Sequence, residues 1–232
     1  MNEINRQYEM IELVANSLGP DLLKTVVFVG GCTTGLLVTD ELTKEEIRHT
    51  DDVDLIIHLA SYTKWNRLQE NLRQKGFKDD TSEDAPLCRM TLHSLKVDFM
   101  PDNDDILGFS NIWYEKALTT SIDFDLNDHL QIRLVSPVYF VATKLEAFKG
   151  RGQGDILASH DLEDIVNLVE GRDELIEEIF HADEDVKKYI VEQFRILNEE
   201  TDFEYLIQSA TRGNQEREDL IYSKIDRIAG FL

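Results

Sequence analysis

Residues 48–57 read RHTDDVDLII, and the organisation of the chain follows from this stretch. Three acids stand directly before an apolar run that is typical of a buried β-strand. Because residues two apart on a strand point to the same face, Asp52 and Asp54 share one face, while Val53 and Leu55 take the other. Neighbouring carboxylates repel each other unless a positive group lies between them, and a divalent metal ion is a suitable one. Asp51 points elsewhere and is expected to be a cap or a surface charge.

A pair of glycines stands ahead of this strand. A short apolar strand is predicted over residues 26–29, Gly30 and Gly31 follow it, and a helix start comes next. Glycine lets the backbone come close to a ligand, and the first N–H groups of a helix point at an anion. The Thr33 hydroxyl could add a donor there. A Gly-Gly turn after a strand is more often only a turn, so the pattern by itself fits either a phosphate-binding loop or a plain turn.

A third acid lies further along the chain, between two apolar residues. Asp98 belongs to a strand predicted over residues 95–100, which a tight turn joins to another strand over residues 87–92. An acid inside an apolar strand is costly unless it is paired. We therefore expect Asp98 to complete a two-metal cluster with Asp52 and Asp54. The alternative is a strand-end acid that faces water.

The composition limits the classes of partner. The 232 residues include 24 Lys and Arg against 46 Asp and Glu, which gives a net charge of −22. Such a chain repels nucleic acid over most of its surface, so contact with RNA would be confined to a local basic patch. The sequence has no apolar run long enough to span a membrane, and its start lacks the pattern of a signal peptide. With 2 cysteines, which make no disulfide framework, a cytoplasmic protein with reduced thiols and no membrane association is expected.

The character of the sequence changes at residue 136, where strand patterns give way to helical ones. Helices are predicted over residues 138–148, 162–169, 173–181, 185–197 and 214–228. The predicted fold is α/β (α+β), with a mixed β-sheet flanked by helices in residues 1–136 and a helical C-terminal domain in residues 137–232. A helix is predicted over residues 3–17, and residues 39–50 form a polar connection that is expected to lie outside the core.

The order of these motifs resembles that of a known superfamily. A strand, Gly30-Gly31 and a helix are followed by Asp52-Val53-Asp54 and later by Asp98. This order resembles the nucleotidyltransferase superfamily, which includes DNA polymerase β and the aminoglycoside nucleotidyltransferases. The pattern Arg48-x-Thr50-x-Asp52-x-Asp54 is similar to that of the AbiEii-type branch, found as toxins of bacterial toxin–antitoxin pairs. The 21 residues from Gly31 to Asp52 also suit that branch, and the resemblance spans residues 26–169.

The resemblance implies a nucleotidyltransferase-type sheet and a magnesium-dependent reaction. Mg²⁺ ions held by Asp52, Asp54 and Asp98 would bridge the phosphates of a nucleoside triphosphate and lower the pKa of an attacking hydroxyl. Asp98 would be the acid nearest the nucleophile and therefore the candidate general base. Gly30, Gly31 and the Thr33 hydroxyl would contact the nucleotide.

The same branch has a downstream lysine and a helix with an Asp-x-x-Asp pattern. Here Lys144 takes the place of the lysine, and Asp161 and Asp164 form the acidic pattern. The resemblance favours Lys144 as a cation that faces the triphosphate, and the alternative is a lysine that snorkels to water. Asp161 and Asp164 lie three apart on one helix face, where they could orient Lys144 or Arg151 or merely be surface acids.

Two arginines are further candidates for phosphate contacts. Residues 149–154 read KGRGQG, a basic and glycine-rich loop that contains Arg151. It is interpreted as a mobile flap that closes over phosphates or contacts RNA, or else as a helix end with a flexible linker. Arg48 is either a phosphate contact or an exposed loop arginine.

The predicted function is Mg²⁺-dependent transfer of a nucleotide from an NTP to an acceptor hydroxyl. By resemblance the acceptor is a tRNA end or a protein, in a toxin-like role with a cognate antitoxin. One alternative is modification of a small hydroxylated molecule, as the aminoglycoside nucleotidyltransferases perform. The other is a non-catalytic, antitoxin-like module that binds a nucleotide or a partner. The three acids weigh against this last reading, because an inactive relative need not retain them.

Overall fold

The computed structural model describes residues 3–151 and 154–231, and this part of the chain forms two compact units. The first unit contains the described residues up to Thr33 together with Arg48–Ser136. The second contains Thr34–Ile47 and the described residues from Pro137 onward. The chain therefore changes units after Ser136, where strand patterns end, but one short early segment also belongs to the helical unit.

A single mixed sheet forms the centre of the first unit. Within the described residues it has seven strands: β1 Val26–Val29, β2 Asp52–Ile57, β3 Phe77–Asp79, β4 Arg89–Leu92, β5 Leu95–Pro101, β6 Ile122–Asn127 and β7 Leu130–Leu134. Their order is β3-β4-β5-β2-β1-β7-β6. Strand β2 runs parallel to β5 and antiparallel to β1, and β1 runs parallel to β7. This mixed sheet confirms the predicted α+β fold class.

The helices over the described residues are α1 Glu3–Leu23, α2 Thr34–Leu37, α3 Glu41–Glu46, α4 Tyr62–Gln74, α5 Asp104–Leu107, α6 Tyr114–Thr119, α7 Pro137–Arg151, α8 His160–Gly171, α9 Leu175–Phe180, α10 Glu184–Asn198, α11 Thr201–Ala210 and α12 Gln215–Ala229. The first helical stretch of α1 ends at Gly19, close to the predicted end, because Gly19 has a non-helical φ of 69° and ψ of 167°; a second stretch continues to Leu23. Helix α11 and strand β3 had no prediction. Among these helices, none combines the length and the apolar character that crossing a bilayer requires.

The central strands form where side chains alternate between the core and the other face of the sheet. Val53 and Leu55 of β2 are fully buried. All four residues of β1 are also buried, with at most 4% of their surface exposed. A two-residue turn joins β4 and β5, and its first residue, His93, has a φ of +56°. A positive φ at this position matches the twist of the two strands that the turn connects.

The second unit is built around α8, which packs against α7, α11, α12 and α3. The prediction that residues 39–50 lie outside the core is wrong for part of this segment. The backbone N–H groups of Thr39 and Asp40 donate to the carbonyl of Gly171 at 2.8 and 2.9 Å, and Thr43 is buried. A side chain at Gly171 would collide with Val38 and Thr43, so this glycine permits the close packing.

Candidate metal centre

Three carboxylates converge on one face of the sheet in the first unit. Asp52 and Asp54 stand two apart on β2, and the parallel register of β2 and β5 pairs Asp54 with Asp98. Each of the three offers one oxygen such that these oxygens lie within 4.8 Å of one another. Asp98 is 7% exposed, and the side chain of Asp52 is 29% exposed. The structure thus brings together the three acids predicted from the sequence as metal ligands.

Gly30 lies directly against this cluster. It follows the last residue of β1, Val29, which pairs with Asp54 in the antiparallel register of β1 and β2. A Cβ atom on Gly30 would stand 1.9 Å from Oδ2 of Asp54, and Gly30 has a φ of +77°. Only glycine fits here, because any side chain would collide with the carboxylate and would also strain the backbone.

A cation already occupies part of the cluster. Arg89 of β4 is the register partner of Asp98, and the two side chains form a bidentate ion pair. Nε of Arg89 donates to Oδ1 of Asp98 at 2.8 Å, and Nη2 donates to Oδ2 at 2.7 Å. The same Nη2 lies 3.8 Å from Oδ2 of Asp52. The hydrogen bonds to Asp98 raise the pKa of the Arg89 guanidinium, so the group is always charged.

A positive group between the carboxylates is predicted from the sequence, but Arg89 was not identified as that group. The expected water-facing alternative for Asp98 is wrong, since this acid is buried and paired. A signal was available: a two-residue turn after Leu92 places Arg89 opposite Asp98. Cross-strand partners of opposite charge stabilise an antiparallel pair.

The residues just before β2 surround Asp52 in different ways. The hydroxyl of Thr50 donates to Oδ1 of Asp52 at 2.5 Å and orients that carboxylate. Asp51 has an exposed side chain that accepts from Nζ of Lys96 at 2.8 Å, and this hydrogen bond lowers the pKa of Asp51. The prediction that Asp51 is a surface charge is therefore confirmed. The guanidinium of Arg48 donates to the carbonyl of its neighbour His49 at 3.3 Å.

The helix start predicted after Gly30 is found as two short helical elements. Residues Gly31–Thr33 form one 3₁₀ turn, and the four-residue α2 follows. The Thr33 hydroxyl donates to the Gly30 carbonyl at 2.8 Å, and Thr33 is fully buried. The hydroxyl stabilises the turn in this conformation, and the contact of Thr33 with a phosphate stays a prediction.

Cys88 is buried beside the acidic cluster. Burial raises the pKa of its thiol to about 12, and the negative charges of Asp98 and Asp54 add to this effect. Cys88 is therefore a neutral thiol at physiological pH, whereas a metal-ligating cysteine binds as the thiolate. Within the described residues, the grouped candidate ligands are the three carboxylates, and carboxylate oxygens are the ligands that Mg²⁺ prefers.

A second acidic cluster lies within the helical unit. Nζ of Lys144 on α7 donates to Oδ1 of Asp161 at 3.0 Å and to Oδ2 of Asp164 at 2.7 Å, both on α8. The side chain of Lys144 is 8% exposed and that of Asp164 is fully buried. Burial opposes the charge, but the two carboxylates outweigh it and raise the pKa of Lys144. The snorkelling alternative for Lys144 is wrong, and ion pairing by the two acids is found.

The basic segment over residues 149–154 is only partly a loop. Helix α7 continues to Arg151, so Lys149 and Gly150 are helical and the predicted loop begins later. Nζ of Lys149 lies 3.4 Å from Oε2 of Glu146 and 5.1 Å from the ring centroid of Tyr189. Residues 152–153 and the side chain of Arg151 lie outside the described part of the chain, so the predicted phosphate contact of Arg151 stays a prediction.

The chain matches no protein-family model, and no curated protein matches it. The geometry of the first unit therefore carries the functional argument. It consists of three carboxylates on one sheet face, a glycine that a side chain could not replace, and an arginine paired to one of the acids.

Proposed function

We propose that this protein is a Mg²⁺-dependent nucleotidyltransferase that moves a nucleotide from an NTP to an acceptor hydroxyl. The observation that carries the proposal is the convergence of Asp52, Asp54 and Asp98 on adjacent parallel strands. Carboxylates at this spacing suit one or two divalent ions, and paired ions in phosphoryl-transfer sites stand about 3.5–4 Å apart. Gly30 supports it further, because the lack of a side chain lets the Asp54 carboxylate lie directly against the backbone that follows β1.

Each acid has a distinct part in the proposed reaction. Bound Mg²⁺ would neutralise charge on the triphosphate and on the leaving pyrophosphate. Asp52, Asp54 and one oxygen of Asp98 would hold the ion, with Thr50 orienting Asp52. Asp98 would accept the proton of the acceptor hydroxyl. The hydroxyl oxygen would then bond to the α-phosphorus of the NTP while the bond from that phosphorus to pyrophosphate breaks. One oxygen of Asp98 must then be released from Arg89, since both are engaged.

The acceptor follows from the resemblance and from charge. A tRNA end or a protein, in a toxin-like role with a cognate antitoxin, is proposed first. The net charge of −22 favours an acceptor that needs little contact area, so a small hydroxylated molecule is the second proposal. Nucleotide contacts by Arg48, Lys144, Arg151, Asp161 and Asp164 stay predictions.

One observation favours a different class of function. The bidentate Arg89–Asp98 pair neutralises one of the three acids. Such a pair would suit a non-catalytic module that binds a nucleotide or a partner. Metal dependence separates the two proposals, because such a module binds its ligand equally well in the presence of a chelator.

Label transfer provides the direct test. The purified protein is incubated with Mg²⁺ and each labelled NTP in turn, together with total tRNA, with cell extract or with a panel of aminoglycosides. We expect transfer from at least one NTP and loss of at least a hundredfold in Asp54→Asn. Asp51→Asn is the matched control, because it removes the same charge three residues away, from an acid that pairs with Lys96 instead.

Three outcomes of this experiment would each contradict a different part of the proposal. Equal activity in Asp54→Asn and the unaltered protein would remove Asp54 from the reaction. An equal loss of label transfer in Asp51→Asn and Asp54→Asn would show that the effect comes from the change in net charge. Absence of NTP binding in the presence of Mg²⁺ would end the enzyme proposal.

A further inference from the structure

Arg89 holds the position between two carboxylates that a bound cation would take. It sits on β4, opposite Asp98 in the antiparallel register of β4 and β5, so both side chains project from the same sheet face. Its Nη2 atom lies 2.7 Å from Asp98 Oδ2 and 3.8 Å from Asp52 Oδ2. One guanidinium nitrogen therefore bridges the acids of two strands, as a divalent ion would.

The pair with Asp98 occupies the whole carboxylate. Nε and Nη2 each bond a different oxygen of Asp98, in the fork geometry that makes arginine–carboxylate pairs strong. A divalent ion that takes an oxygen of Asp98 also brings two positive charges close to a guanidinium that cannot lose its own. Arg89 and the metal thus compete for the same ligand and repel each other.

The neighbouring ion pair does not share this arrangement. Lys96 stands on β5 two residues before Asp98, and its Nζ bonds Asp51, an acid outside the cluster. Both side chains of this pair are exposed, by 41% and 63%. Lys96 therefore supplies a nearby positive charge that occupies no oxygen of the three candidate ligands.

We infer that Arg89 is the built-in counter-ion of the metal-free cluster and that a divalent metal displaces it from Asp98. The inference rests on the proposed function, because it takes the three carboxylates as metal ligands. Displacement links two requirements of the reaction: the metal enters, and an oxygen of Asp98 becomes free to accept a proton. Arg89 thereby opposes metal loading and compensates the charge of Asp98 until the metal binds.

Metal affinity in the absence of nucleotide tests this inference. Binding of Mn²⁺ is measured by titration calorimetry for the unaltered protein, Arg89→Met and Lys96→Met. Arg89→Met removes both the charge and the donors, so we expect it to bind Mn²⁺ about tenfold more tightly. Lys96→Met removes an equal charge without freeing a ligand oxygen, and we expect a change of less than about threefold.

A double-mutant cycle assigns the gain to Asp98. In an Asp98→Asn background, Arg89 has no Asp98 carboxylate to release and keeps its 3.8 Å approach to Asp52, so Arg89→Met should tighten binding by less than about threefold. A gain of about tenfold in this background would overturn the inference in favour of a general charge effect. If Arg89→Met does not fold, Arg89→Lys replaces it; a lysine cannot form the fork, so binding should still tighten by about threefold.

The results separate this inference from the proposed function. Equal or weaker Mn²⁺ binding in Arg89→Met would mean that Arg89 positions Asp98 for the metal; the inference would fail and the metal site would stand. Absence of Mn²⁺ binding at millimolar concentrations in both proteins would remove the metal site, and with it both proposals.

Discussion

The two units each contain a group of acids that share one cation, and the two groups differ in exposure. In the sheet unit, Arg89 pairs with Asp98 and lies 3.8 Å from Asp52, and its side chain is 20% exposed. In the helical unit, Lys144 serves Asp161 and Asp164, and all three side chains are at most 14% exposed. The first group is open, since the side chains of Arg89 and Asp52 are 20% and 29% exposed, although that of Asp98 is 10% exposed. The second group is closed, since the side chain of Asp164 is fully buried.

Exposure decides what each group can do. Charges that remain in contact with water can exchange a partner at modest cost, because solvent compensates for the intermediate state. Charges buried in a helical core cannot, since an unpaired buried charge is very unfavourable. The open cluster of Asp52, Asp54 and Asp98 is thus suited to bind an added cation, whereas the closed cluster around Lys144 fixes α7 against α8.

Removal of each cation should produce the largest effect and the clearest contrast. Lys144→Met removes the ammonium that donates to the fully buried Asp164, so we expect it to lower the free energy of unfolding by about 3–5 kcal/mol. Arg89→Met, without metal, should lower it by about 1–3 kcal/mol, because the side chain of Asp98 retains 10% exposure whereas that of Asp164 has none. Urea denaturation measures both.

Lys149→Met is the control for the lysine, because it removes a half-exposed charge from the same helix. It should change the free energy of unfolding by less than about 1 kcal/mol. A loss of under about 1 kcal/mol in Lys144→Met would contradict the description of that cluster as closed.

Gly30→Ala should produce the next largest effect. The new methyl group meets the Asp54 carboxylate at a positive φ, so we expect a loss of about 2–4 kcal/mol in the free energy of unfolding. Gly108→Ala is the matched control: Gly108 has a φ of +79° against +77° for Gly30, and nothing lies within 4 Å of its Cβ position. It should lose only about 1–2 kcal/mol. Equal losses would show that backbone strain alone, and not the approach of Asp54, requires glycine.

The pH dependence of stability should produce the smallest effect. The pKa of Cys88 is raised to about 12 in the folded protein, above about 8.5 in an unfolded chain. At pH values between these two pKa values, the folded state therefore retains the thiol proton. The resulting stabilisation is complete below the unfolded pKa and is lost as the pH rises through the range.

Between about pH 7.5 and pH 9.5, the unaltered protein should lose about 1 kcal/mol more of its free energy of unfolding than Cys88→Ala. Urea denaturation of both proteins under reducing conditions measures the difference. If the free energies of unfolding of the two proteins change with pH in parallel, burial and the negative charge beside the open cluster do not raise the pKa of Cys88.

Local patterns identified much of the fold. The alternation of Val53, Leu55 and Ile57 with acids predicted β2, and the uniform apolar run over 26–29 predicted β1 with the observed bounds. Segments whose burial depends on distant partners were missed. Helix α3 is polar in sequence, and it is held by contacts of its flanking residues with Gly171, about 130 positions away. No local period reveals such a contact.

The site divides in the same way. The spacing of Asp52 and Asp54 and the apolar neighbours of Asp98 sufficed to predict that these three acids meet. The cation between them was not predicted, although the hairpin register would have placed Arg89 opposite Asp98. The Thr33 hydroxyl was assigned to a phosphate, and only its distance from the Gly30 carbonyl reveals its actual partner.

The sequence by itself determined which side chains are acids on one strand face, because a strand fixes its side-chain directions with a period of two. It also determined the fold class, since the change from strand to helical periodicity lies in the residues themselves. Only the tertiary structure decided which cation neutralises each acidic group and how much water reaches it. Pairing and exposure depend on strand register and helix packing, which join residues far apart in the chain.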